Sequence, residues 1–155
     1  VLQNLLRERV SIRDFASILE AIAEATSAST DLLAVTEHVR ARLARQLCNT
    51  HLDASGALVV LSLSPAWEKT FSDALIGAGA ERQLALEPSR LHSFVAALRA
   101  GFERAAQSGD HPVLLTSAAV RPYVRSLVER FRPQTNVMSQ NEIHPKARLR
   151  SAGAV

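Results

Sequence analysis

The chain has 155 residues, a length that holds one ordinary domain or two small ones. Apolar residues make up 47% of it, which excludes a disordered chain, and aromatics only 5%, so Leu, Val, Ile and Ala must fill the core. The net charge of +3, the single cysteine Cys48 and the lack of any run of about 18 apolar residues exclude a disulfide framework, a multi-cysteine zinc site and a membrane span within this stretch. No signal peptide is visible. The sequence opens at Val1 without Met, already inside an apolar pattern, and reads as a piece of a longer protein.

Leu2, Leu5 and Leu6 share one face of a first helix. Ser11 to Asp14 resembles a capping box, with Ser11 expected to cap the second helix and Asp14 in the acidic place. Phe15, Ile18, Leu19 and Ile22 follow at i, i+3, i+4 and i+7, the stripe of an amphipathic helix. Thr26 to Thr30 is a polar break. Asp31 is placed to cap a third helix, whose Val35, Val39, Leu43 and Leu47 step by four. Arg40, Arg42 and Arg45 are expected on its other side.

The pattern changes at Ser55-Gly56. Leu58 to Leu63 is a short apolar run, as in a buried strand. Ser64-Pro65 predicts the N-cap and first residue of a helix carrying Trp67, Phe71, Ala74 and Leu75, ended by Gly77 and Gly79. A short extended segment is expected at 84–86. Pro88 opens a longer helix with Leu91, Phe94, Val95, Leu98 and Phe102 on one side, closed by Gly109. Val113 to Thr116 is a second buried-strand candidate. The next helix, with Val120, Val124, Leu127, Val128 and Phe131 on one face, must become regular near residue 121 because Pro122 is not tolerated in a helix interior. Val137-Met138 predicts a third strand, and the basic tail from Lys146 is expected to be loosely held.

The expected fold is thus α+β to α/β: a helical N-terminal part (1–53), an α/β part with a mostly parallel sheet (57–145), and a basic C-terminal tail (146–155), with the boundary between the first two near 50–57. No enzymatic motif is present. There is no G-x-x-x-x-G-K-[ST] loop, and Gly77-Ala-Gly79 follows a predicted helix where a dinucleotide fingerprint needs a strand. Cys48-Asn-Thr-His51, with Asp53 beyond, has metal-like spacing but lacks the second cluster a structural zinc site uses. Ser64 and Ser117 sit at strand-to-helix turns without a G-x-S-x-G elbow and are better employed as caps. From Arg121 to the end, seven basic residues face two acidic ones, which raises a nucleic-acid-binding or regulatory module as a competing reading. The interleaving of those arginines with core-spaced apolar residues favours a solvated or protein-binding face instead.

Two stretches carry a family resemblance. Asn4-Leu-Leu-Arg-Glu-Arg-Val-Ser-Ile-Arg-Asp14, with Ile18-Leu-Glu-Ala-Ile22 and Thr36-Glu-His-Val-Arg40, resembles the FlhA-type (FHIPEP) family of flagellar and injectisome type III export gates. So does Pro112-Val-Leu-Leu-Thr-Ser117 with Arg121-Pro122, Leu127 to Phe131, Val137-Met-Ser139 and Asn141-Glu-Ile143. The resemblance covers nearly the whole chain in order and is weakest from Asp53 to Gly109; Gln140 stands where the family commonly has an aromatic. The Asn141-Glu142-Ile143 ending looks more flagellar than injectisome-like. The resemblance implies a non-enzymatic part, without cofactor, metal or nucleic acid, lying on the cytoplasmic side of the bacterial inner membrane below a membrane-anchored part. It implies assembly with other copies into a nine-membered ring, and docking of export chaperones with cargo and of other export components. Under it, Ser11, Asp14, Asn141 and Glu142 are structural motif residues, and Arg13, Arg40 and Arg45 are expected to face a neighbouring subunit or export partner.

Overall fold

A computed structural model describes all of residues 1–155. Four helices come first: α1 (Leu2–Arg7), α2 (Phe15–Thr26), α3 (Leu32–Arg42) and α4 (Ala44–Thr50). After them come β1 (Leu58–Ser62), α5 (Pro65–Asp73), β2 (Leu75–Ile76), β3 (Gln83–Leu84), α6 (Pro88–Gln107), β4 (Val113–Thr116), α7 (Arg121–Val128), β5 (Val137–Ser139) and β6 (Leu149–Ala154). The main sheet has the order β5-β4-β1-β6 with every pair parallel. A two-stranded antiparallel hairpin, β2 with β3, stands apart from it.

The period-2 alternation of the strands builds two cores. Leu58, Val60, Val113 and Met138 face one way and pack with Leu5, Val10, Ile18, Ala21, Val39, Leu43 and Leu47 of the helical layer. Leu61, Leu63, Leu114 and Val137 face the other way and pack with Phe71, Phe94, Leu98, Phe102, Val124 and Val128 of α5, α6 and α7. The molecule is therefore three layers, α1–α4 over the sheet over α5–α7. The N-terminal helices bury their apolar side on the sheet itself rather than on one another alone.

Several local expectations are corrected. The cap of α2 is Asp14, which accepts from Ser17 N at 3.2 Å; Ser11 Oγ instead accepts from Arg13 N in a short turn. The buried side of α2 is Ile18, Ala21 and Ala25, so Phe15 and Leu19 are 46% and 50% exposed. Small alanines let α2 lie close on α3, which rotates the larger side chains outward. Gly77 and Gly79 do not end a helix: α5 stops at Asp73, and Leu75 enters the hairpin. Gly77 has φ +84, and a Cβ there would meet the Glu81 carbonyl oxygen at 2.8 Å, so the hairpin turn requires glycine.

The tail is the largest departure. Residues 149–154 form an edge strand beside β1 in the register Leu58↔Leu149 to Ser62↔Ala154. Backbone pairing, not side-chain burial, orders it, and its residues are mostly exposed, which is why its hydropathy pattern was silent. Arg150 fastens it further by donating to Asp53 and Asp110, whose carboxyls are held below their usual range by hydrogen bonds, to Ser55 first for Asp53 and to Arg150 first for Asp110. The connection from β5 to β6 crosses the helical-layer side. There Cys48 Sγ donates to the Glu142 carbonyl at 3.3 Å and receives His144 N–H at 3.4 Å.

Candidate functional site

In an open parallel sheet, ligands ordinarily bind beyond the carboxyl ends of the strands. Here that edge is closed by the chain's own groups. Glu68, in the first turn of α5, accepts from Ser117 N and from Ser117 Oγ, each at 2.7 Å. Ser64 caps α5 by accepting from Trp67 N, and its own N–H donates to the Val155 carbonyl. Ser117 is thus a partner of Glu68 rather than a cap of α7.

The concentrated chemistry lies where the helical layer meets α7 and β5. Arg121 is 1% exposed and donates to Glu37 Oε2 through Nε at 2.7 Å, to Glu8 Oε2 through Nη1 at 2.8 Å, and to the Val137 carbonyl at 3.1 Å. Arg40 is 3% exposed and grips Glu142, itself 0% exposed, through two bonds of 2.9 Å. Arg125 reaches the Thr135 carbonyl and lies 3.8 Å from Glu8. Three guanidinium groups and three carboxylates therefore join α1, α3, α7 and the turn after β5. Burial pushes the Glu8 carboxyl up, but Arg121, then Arg40 and Arg125, outweigh it and hold its pKa below the usual carboxylate range. Burial first, and Arg40 next, depress His51, which stays neutral near pH 7.

Local structure explains the arrangement. α1 ends with paired bonds from Val10 N to Leu5 O and Arg9 N to Leu6 O, with Arg9 at φ 58 in the place glycine usually takes. That tight end turns Glu8 inward. Pro122 near the start of α7 places Arg121 at the first helical residue, where its side chain points back beneath β5.

The expected site residues divide. Arg40 does not face outward; it is an interior ion-pair partner, corrected by the buried Glu142 it meets. It lies on the stripe of Thr36, Leu43 and Leu47 at i, i+4, i+7 and i+11, so helical periodicity held the signal. Glu142 likewise does more than close a turn, whereas Asn141 beside it is exposed. Arg13 and Arg45 are exposed. Arg45 stands between two open surface basins, one shared with Asp14 and Gln46, the other with Lys146 and Arg148. Most of the basic C-terminal end is taken up by contacts within the chain, Arg121 and Arg125 in its interior and the rest at its surface. Arg121 and Arg125 are in the network, Arg150 is paired, Arg132 lies 4.4 Å over the Phe102 ring and Arg148 bonds Ser55.

This three-layer arrangement is that of the C-terminal domains of type III export-gate proteins. The chain belongs to the FHIPEP family, which residues 1–148 match. It is 59% identical over 155 residues to the flagellar biosynthesis protein FlhA of Caulobacter vibrioides, covering 100% of this chain and 22% of that protein. A structure of the Chlamydia pneumoniae CdsV protein superposes with a TM-score of 0.90 at 31% identity, over 99% of this chain and 44% of that one. A structure of the Chlamydia pneumoniae CdsV and CdsO protein complex matches with a TM-score of 0.86 at 31% identity, over 99% of this chain and 45% of that one. The chain spans about a fifth of the length of the curated relatives it matches. No helix of it is long and apolar enough to cross a membrane.

Proposed function

We propose that this chain is a cytoplasmic part of a flagellar type III export gate, working as a docking and assembly module without chemistry of its own. The end-to-end identity of 59% with a flagellar FlhA carries the reading. The self-closed sheet edge supports it, because Glu68 and Ser117 satisfy each other where a substrate would sit. In the whole protein it would hang below a membrane-anchored part on the inner membrane and join other copies in a nine-membered ring. It would receive export chaperones with their cargo, and export-apparatus proteins such as the partner seen on CdsV. Flagellar rather than injectisome service is favoured by the identities, 59% to that flagellar relative against 29% to the low calcium response locus protein D of Yersinia pestis.

Arg13 and Arg45, exposed on the helical layer, are the residues we assign to contacts with a neighbouring subunit or partner. The decisive experiment replaces the matching segment of the Caulobacter vibrioides protein with this chain. Restored motility and flagellin export are expected; an assembled gate that exports nothing would overturn the reading. In that chimaera, Arg13→Glu with Arg45→Glu should reduce ring assembly or export. Unchanged values for both would remove the two arginines from any interface.

A further inference from the structure

Three buried polar atoms find no hydrogen-bond partner within the protein: Arg40 Nη1, Arg125 Nε and Thr135 Oγ1. Their residues line one and the same cavity, of about 60 Å³, at the junction of the α1–α2 turn, α4, α7 and the segment entering β5. A buried donor left unpaired is costly, and three in different elements converging on one space by accident would be costlier still. The Glu8 carboxylate is an ion-pair neighbour of the two guanidiniums but hydrogen-bonds none of the three atoms. Its Oε2 is committed to Arg121, lies 3.2 Å from Arg40 Nη1 without the alignment of a hydrogen bond, and is 3.8 Å from Arg125 Nε.

The chemistry of the wall defines the ligand. Guanidinium N–H groups only donate, and a threonine hydroxyl can donate a third bond, so the ligand must accept from several sides. Arg9, Arg40 and Arg125 line the cavity with Glu8, and Arg40 is already paired with Glu142, so converging donors rather than a large net charge define the site. Neutral His51 adds no charge, and Gln46 has its amide donated to the Ser11 carbonyl at 2.8 Å. A water-sized species needs roughly 10–15 Å³ of such space, so the cavity of about 60 Å³ seats a monatomic guest together with a few waters. We infer that this cavity is a binding site for a small monovalent anion of the chloride type, held by Arg40, Arg125 and Thr135. Bound there, the anion ties α3 of the helical layer to α7 and to the entry of β5. Halide then strengthens the joint between the layers, while ordinary salt screening weakens surface pairs.

Crystals of the chain grown in sodium bromide should show an anomalous peak among Arg40 Nη1, Arg125 Nε and Thr135 Oγ1. In solution, at matched ionic strength, replacing gluconate by chloride or bromide should raise the melting temperature. The rise should be about 3–5 °C per tenfold halide once the site fills. Thr135→Ser keeps the hydroxyl and should keep the response, whereas Thr135→Val, which leaves the Arg125 bond to the Thr135 carbonyl intact, should reduce it at least several-fold. Density for water without an anomalous peak, melting that ignores the halide, or an equal response in Thr135→Val would each overturn the site; the last two with bromide peaks only on the surface would mean an adventitious ion only.

Discussion

The two faces of the sheet are held by different physics. Toward α5–α7 the contact is aliphatic and aromatic: the Phe71 and Phe94 rings meet edge to face at 4.8 Å, with Trp67 at 5.2 Å from Phe94. Toward α1–α4 the aliphatic core is bordered by the Arg40, Arg121 and Arg125 network with Glu8, Glu37 and Glu142. An apolar contact is roughly proportional to area and tolerates small slides. An interior ion pair tolerates none, because each carboxylate displaced from its guanidinium is a charge left dry. One face thus supplies adhesion, and the other supplies register between parts distant in sequence, from Glu8 to Glu142.

The sharpest way to break that contrast is to truncate one centre on each side. Arg121→Met leaves Glu8 and Glu37 without their main partner and should cost about 3–5 kcal/mol by urea unfolding. Phe94→Ala should cost a similar 3–5 kcal/mol through the cavity it opens. The two sides differ in their response to a second change. Adding Glu142→Leu to Arg40→Met should cost less than either single change, because an apolar pair is tolerated where one orphaned charge is not. A second truncation beside Phe94, such as Phe71→Ala, should add to the loss. Additive costs for Arg40 and Glu142 in the same cycle would show that the network fixes nothing.

A smaller effect is expected from pH. The folded-state pKa of Glu8 lies below its unfolded value of 4.5, so the carboxylate's contribution is present above pH 4.5 and is lost as pH falls through the folded value. Unfolding midpoints measured from about pH 6 down to about pH 3 should therefore fall, and Glu8→Gln should flatten that slope while lowering the plateau. An unchanged slope would assign the acid sensitivity to other carboxylates. The smallest effect separates the two capping candidates. Asp14→Ala should cost about 1 kcal/mol, and Ser11→Ala no more than about 0.5 kcal/mol. Equal losses would mean that the turn at Ser11 matters as much as the cap.

Most elements were legible because their signals are local. Asp31 and Ser64 cap where their side chains reach the next turn, Pro122 starts α7 where a proline is tolerated, and Val35, Val39, Leu43 and Leu47 are buried at their helical spacing. The edge-to-face contact of Trp67 and Phe94, the pairing of β6 with β1 and the burial of Arg40 were not. Each depends on a partner tens of residues away. An arginine on a helix reads as solvent-facing until a carboxylate from 102 residues further on is brought to meet it. Phe15 and Leu19 show the converse: an apolar stripe read from one helix alone was turned outward, because Ala21 and Ala25 fit the neighbouring helix more closely.

Spacing, caps and residue types a few positions apart were enough to assign most segments to helix or strand and to expect a largely parallel main sheet; the family placement came from the resemblance of whole motifs to a known family. Tertiary contacts settled the rest: the N-terminal helices cover one face of the sheet, the basic tail becomes a strand, and the arginines expected on a surface split into exposed Arg13 and Arg45 and interior Arg40. The reason is the range of the forces. Local propensity is set within a turn or two of backbone. The free energy of a buried charge is set by whichever opposite charge the folded chain brings within hydrogen-bonding distance.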